Sequence, residues 1–452
     1  MRGRALVLIL GLLAVALLAS GASVAWAQTF QLTTCAWSDL SSAVTAANSN
    51  GQDDTINLKQ GCTYAEPSSV RYLEVADDGG HALTITGFGT ATISHPYGTD
   101  RGNSTALLVD PSTQLTLNRV AVSAACGSAS QCPAPGPPTI QNNGELILNG
   151  SSVSNGLNTS GISSARVSSA YPSPSLTLNR TTVSGNDGWG VSASDGTTWV
   201  TNSQISGNKS GGIQNGSTLH IGTSTIADNT TRGPNGCLGA GITNGGKLTV
   251  FASTIARNVT SPQCYGLYGA GGGISNGGTA WITDTTIADN TGASGGGVYQ
   301  WNNGHISILW STLSGNTARY ASTGGNVRSV DASGVLLKGA IIANGGSGHD
   351  CLQDVAGAII DGGYNIADDA TCALTSAKHS LASTSPGLDP NGLQSNGGPT
   401  QTIALLASSP AIDFVPLSSP GAAPPKMDQR LLPRPDAAEA STDAGAYELQ
   451  DN

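Results

Sequence analysis

The chain has 452 residues, of which 11% are charged, 5% aromatic and 61 glycine. That is length enough for a sizeable core, but the large rings that fill ordinary globular interiors are scarce. A formal net charge of −10 argues against nucleic acid or an anionic membrane surface as the main partner.

The first segment reads as an address. Arg2 and Arg4 make a basic region, Ala5 to Leu18 an apolar stretch too short for a comfortable membrane span, and Ala25-Trp26-Ala27 an A-x-A cleavage site. Residues 1–27 are therefore expected to be a signal peptide, with the mature chain starting at Gln28, exported, and without a membrane span after cleavage. Export gives the eight cysteines an oxidising compartment in which to pair. Their order suggests Cys35 with Cys62, Cys126 with Cys132, Cys237 with Cys264 and Cys351 with Cys372, although other connectivities stay open. No C-x-x-C occurs and none of the six histidines falls at ligand spacing, so no metal site and no cofactor are expected.

Residues 28–80 read as an N-terminal cap. Leu40, Ala43, Val44 and Ala47 lie at i, i+3, i+4 and i+7 behind Ser38 as N-cap, which predicts a short amphipathic helix over Ser38 to Asn48. Such a helix suits the open end of a stack of strands, and a Cys35–Cys62 bridge would pin it.

The stack itself is expected over 81–387, where an aliphatic residue five positions after another recurs. The pairs are Leu117/Val122, Leu148/Val153, Leu178/Val183, Val200/Ile205, Ile221/Ile226, Val250/Ile255, Ile282/Ile287, Ile308/Leu313 and Leu336/Ile341. A further small or aliphatic residue two positions earlier makes each row a period-2 strand with one buried face. The residue between points outward, giving Thr116, Ile147, Thr177, Trp199, His220, Thr249, Trp281, Ser307 and Val335 in successive rows. Upstream lie Asn-Gly turns, as in Ile242-Thr-Asn-Gly-Gly246, whose glycines are expected to supply positive φ. The shortest row spacing is 21 residues, one coil of a β-solenoid. About eleven coils at ~4.8 Å give a stack on the order of 50 Å long. Three residues after the last seven of these pairs stands asparagine, at Asn186, Asn208, Asn229, Asn258, Asn290, Asn316 and Asn344, which predicts an inward ladder of amides.

Residues 388–452 lose this pattern, turn proline-rich and are expected to form a C-terminal cap. They contain Asn396-Gly397-Gly398-Pro399-Thr400, Ser409-Pro410-Ala411-Ile412-Asp413, Asp428-Gln429-Arg430, Arg434-Pro435 and Asp443-Ala444-Gly445-Ala446-Tyr447-Glu448. In these motifs, and in Cys35 to Leu40 followed by Asp54-Thr55-Ile56, the chain resembles bacterial choice-of-anchor Q domain proteins. Its repeats are distantly similar to those of chlamydial polymorphic outer-membrane proteins. The resemblance implies a right-handed parallel β-helix and no defined reaction. It departs at Leu431, where the family pattern usually has glycine, and at Ala444, where an aliphatic is usual. Such chains often run on into an anchoring tail, whereas this one stops at Asn452, so a secreted product is expected. Asp413, Asp428, Arg430, Arg434, Asp443 and Glu448 alternate in sign and read as internal ion pairs rather than catalytic acids.

The fold expected is therefore all-β: a single-domain right-handed parallel β-helix with an N-terminal capping helix and a Pro-rich C-terminal cap. For chemistry, Asp228, Arg257 and Asp289 fall two positions after the ruler on adjacent coils. They are the candidates for a polysaccharide lyase or glycosidase, which needs a base or paired carboxylates; a surface charge ladder is the preferred reading. For binding, Trp199 and Trp281 share an outward column with His220 between, suited to stacking on sugar rings. Insertions at 125–139, 230–240, 259–270 and 317–324 place Tyr265, Tyr268 and Tyr320 along one edge. The favoured function is a secreted, monomeric, non-catalytic protein, adhesin-like, binding extracellular polysaccharide or a cell-surface component.

Overall fold

The computed structural model describes residues 27–67, 72–96, 105–125, 137–156, 159–233, 238–264, 271–320, 323–332, 334–346, 348–418, 424–436 and 440–450. Over them the chain winds through three parallel sheets of 13, 12 and 11 strands in the order each turn visits them, so like residues stack in files. Thus Lys247–Phe251 of the first sheet pairs in register with Thr218–Gly222 on one side and Thr279–Thr283 on the other. The inward residues form one continuous apolar core, from Leu40 and Ile56 to Ile359 and Cys372. Stacked aliphatics need no large rings to fill it, which accounts for the composition.

The last ruler row departs from the sequence reading by one residue. Ile306 and Ile308 pair with Val335 and Leu337, and Leu313 with Ile342. The inward pair is therefore Leu337/Ile342, and Leu336 rather than Val335 faces out. Val335, Leu336 and Leu337 are all aliphatic, so the period-2 signal is degenerate there and the register is set by pairing with the coil before.

The glycines of the Asn-Gly turns at 215–216, 244–246 and 276–278 do not take positive φ, although Gly196, Asn302 and Asn303 do at the same corner of other turns. Positive φ recurs at the two other corners: Arg180, Asn202, Thr223, Ala252 and Asp284 at the first, and Gly185, Gly207, Asp228, Arg257, Asp289, Gly315 and Asn344 at the second. The Asn-Gly glycines serve close approach instead: a Cβ on Gly246 would lie 2.0 Å from the Ser217 carbonyl oxygen of the previous turn.

The asparagine ladder is present over six rows. Each amide from Asn186 to Asn290 donates to the next Oδ1 at 2.9 Å, as Asn258 does to Asn290. Asn344, shifted with its row, is exposed at the corner, and the ladder passes from Asn316 to Asn326 (2.8 Å) and on to Asp350 (2.7 Å). A second file, Asn215–Asn244–Asn276–Gln300, runs up the Asn-Gly corner at 2.6–2.7 Å.

At the start of the stack the helix α1 (Trp37–Ala47) buries Leu40, Ala43, Val44 and Ala47. Its N-cap is Ala36, without a side-chain cap bond, rather than Ser38. The Cys35–Cys62 and Cys351–Cys372 bridges are formed, with Cα separations of 5.1 and 4.9 Å. Cys264 is also disulfide-bonded, while Cys126, Cys132 and Cys237 lie outside the described residues.

The far end of the core meets Cys372 and Leu374. The proline-rich segment, expected over that end, lies instead along the flank, on the outer face of the second sheet. Gln429 bonds Thr254 (3.0 Å) and Thr286 (2.6 Å), Ala446 N donates to Thr312 Oγ1 (3.0 Å), and Leu405, Ala411, Val415 and Ala444 pack on Ile341 and Ala343. Gly445 fits because it lacks a side chain: a Cβ there would lie 2.7 Å from Ile341 Cδ1. Under this cover Thr254, Thr286 and Thr312 are buried, whereas Thr182, Gln204 and Thr225, earlier in the same file, remain at least partly exposed.

Candidate functional site

The first sheet turns a flat face outward, and its central file runs Thr177, Trp199, His220, Thr249, Trp281, Ser307 in register. Trp199 and Trp281 are 46% and 43% exposed, although large aromatics are normally covered. Three strand spacings separate them, about 14 Å. His220 is stacked on Trp199 with ring centroids 4.0 Å apart and planes at 19°. Burial against its neighbours lowers the His220 pKa, so at neutral pH the ring carries no charge and offers one donor and one acceptor. The arrangement is a rigid ledge with two aromatic plates and polar atoms between them, able to stack on the apolar face of a ring and bond its hydroxyls.

Asp228, Arg257 and Asp289 are brought into one file at the second corner, as the spacing predicted. Arg257 closes a bidentate pair on Asp228, at 2.9 and 3.1 Å. That bond holds the Arg257 guanidinium above its usual pKa, which keeps it charged and unable to abstract a proton. Desolvation raises the Asp289 carboxyl, against the pull of Arg257. Beside this file runs a groove of about 500 Å³, floored by Thr182, Gln204 and Thr225, walled by Gln401 of the flanking segment, with Arg180 and Arg257 at its rim.

No family model matches the chain, and no curated protein matches it. Among solved structures it is similar to the crystal structure of pectate lyase Pel9A, with 13% identity over 94% of this chain and 98% of that chain, and a TM-score of 0.48. A likeness at this level is one of backbone course and carries no chemistry across.

Of the edge tyrosines, Tyr265 and Tyr268 lie outside the described residues. Tyr320 is packed on Cys264 and Ala293, its hydroxyl donating to the Cys264 carbonyl at 3.1 Å. The acids and arginines of the C-terminal segment pair internally: Arg430 with Asp428 at 2.8 Å and Arg434 with Glu448 at 3.1 Å. Two features escaped the sequence. The groove exists because the flanking segment stops short of Gln204, which no local pattern encodes. The His220–Trp199 stack was implicit in the shared file, because neighbouring outward residues on paired strands touch.

Proposed function

We propose that this protein binds extracellular glycan through the outward file of its first sheet and does not cleave it. The carrying observation is the pair of exposed tryptophans on one rigid face, with a neutral histidine stacked against the first. The disulfides Cys35–Cys62 and Cys351–Cys372 support a life in an oxidising compartment, and among the described residues no helix is long and apolar enough to cross a membrane. The test is a glycan array followed by calorimetry on the best binder. Trp199→Ala and Trp281→Ala should each weaken binding about tenfold, the size of one aromatic contact of ~1.4 kcal/mol. The melting temperature should hold, since both side chains stand outside the core. Unchanged affinity in the double variant would remove this reading.

A second reading, cleavage of an acidic polysaccharide, is favoured by Arg180 and Arg257 at the rim of the polar groove. It requires Asp289 as base, because Asp228 and Arg257 are engaged with each other. Release of unsaturated or new reducing ends from a uronate polymer, lost in Asp289→Asn, would establish it over the first.

A further inference from the structure

The amide ladder ends in a carboxylate. Asn326 Nδ2 donates to Asp350 Oδ1 at 2.7 Å and Gly345 N donates to the same oxygen at 3.0 Å, so that oxygen is satisfied. The other, Oδ2, meets no N–H or hydroxyl donor, although Asp350 is only 1% exposed, and the Asp368 carboxyl within hydrogen-bond reach of Asp350 can be bridged to it only by a proton or a cation. A buried, unmatched carboxylate oxygen is costly unless something positive or protic meets it. A carboxylate oxygen of Asp369 lies within 4.8 Å of an Asp350 oxygen, and the Asp368 side chain is also in contact with Asp350. Their orientations are fixed by the backbone: Asn344 N donates to Asp368 Oδ2 at 2.7 Å, Thr371 N to Asp369 Oδ1 at 2.8 Å and Asp350 N to Asp369 Oδ2 at 2.8 Å. Among the described residues no lysine, arginine or histidine pairs with any of the three. The nearby Cys372 sulfur is tied up with Cys351 and is no ligand.

We infer that Asp350, Asp368 and Asp369 form a divalent-cation site of the calcium class at the C-terminal end of the solenoid. Three hard oxygen donors, one buried and two side by side on the neighbouring turn, suit a calcium ion with water completing the shell, and lack the nitrogen or sulfur that zinc prefers. The ion would tie the turn at 344–350 to the turn at 368–372, across the last coil and its disulfide.

The experiment uses the intact, disulfide-bonded chain freed of metal by chelation, titrated with CaCl₂ and followed by thermal unfolding and calorimetry at pH 7.5. With an affinity in the range of extracellular calcium modules, the melting temperature should rise by about 1 °C at about 1 mM and about 2 °C at about 10 mM. Asp350→Asn and Asp369→Asn should both abolish the rise. Metal-free Asp350→Asn should melt no lower than the metal-free wild type, since it relieves like-charge crowding while keeping the acceptor for Asn326; this shows that the variant folds. No calcium-dependent rise in the wild type, or an equal rise in both variants, would overturn the site and leave Asp350 as a carboxyl shared with Asp368 through a proton.

Discussion

Replacing Arg434 by methionine is expected to cost about 3–5 kcal/mol of stability and to make the segment 388–450 sensitive to protease. Arg434 has a side chain with no exposed surface. It reaches Glu448 Oε2 at 3.1 Å, the carbonyls of Asp443 and Gly445 at 2.7 and 3.0 Å, and Asp284 of the solenoid at 3.5 Å. Methionine fills the volume but supplies no donor, so two buried acids lose their positive neighbour and two carbonyls their donor together, and Glu448 keeps only the Thr442 hydroxyl and Asp443 N. Lysine should rescue little, because its point charge cannot reach four acceptors around a planar fork. Denaturant unfolding gives the energy, and limited proteolysis shows whether the flank is released. A variant with wild-type stability and an intact flank would mean that the apolar contacts of Leu405, Ala411, Val415 and Ala444 on Ile341 alone hold the segment.

The same cluster sets a pH dependence. Burial pushes Asp284 up to about 8, Glu448 to about 7 and Asp443 to about 6, in each case against the pull of Arg434. The unfolded chain releases these protons near 3.8 to 4.5, so between there and about 8 the folded chain holds more of them. Stability then falls as pH rises through that window. The melting temperature should be higher at pH 5 than at pH 8, and Asp284→Asn should flatten the slope. The Arg434→Met penalty should shrink toward pH 5, where protonation discharges the acids that lost their partner. A slope of the opposite sign would mean these groups are ionised and well paired throughout.

How far the sequence could be read depended on whether a residue's fate was decided by its own row. The strands, the outward Trp199 and Trp281, the buried face of α1 and the amide ladder were legible, because each follows from a period that stacking then enforces. The row at 335–343 misled by one position because consecutive aliphatics erase the alternation. The turn glycines misled because a glycine required for close approach looks the same in sequence as one required for positive φ. The flank position of 388–450 was not legible at all. Its partners Thr254, Thr286 and Thr312 read as ordinary outward β-formers, and only contacts about 130 to 175 residues apart distinguish them from Thr182 and Thr225. The proposed cation site was only half legible: Asp368-Asp369 stand out as paired acids in a loop-like stretch without calcium-loop spacing, while Asp350 belongs to a different turn.

Asn258→Leu should be at least as damaging as loss of Arg434, and it separates the ladder from its look-alike. Asn258 Oδ1 accepts from the backbone N and the Nδ2 of Asn229, at 3.1 and 2.9 Å, while its own Nδ2 donates to the Ile226 carbonyl and to Asn290 Oδ1, both at 2.9 Å. Leucine matches the size and removes all four bonds, leaving buried donors and acceptors on both neighbouring coils. At ~1–3 kcal/mol for each orphaned group, with some relaxation, the loss should be about 4 kcal/mol or more. Asn258→Asp keeps the two acceptor bonds but forfeits both donor bonds and buries a charge, so it should not rescue. Asn344→Gly, three residues after Ile341 and identical by the sequence ruler, should change stability by under about 1 kcal/mol, because that residue sits exposed at φ +57° on the corner, a conformation glycine adopts freely. Equal penalties at the two positions would mean that the amides act one by one; a large difference, read by chemical denaturation of both variants, shows that stacking in a buried file is what makes an asparagine structural here.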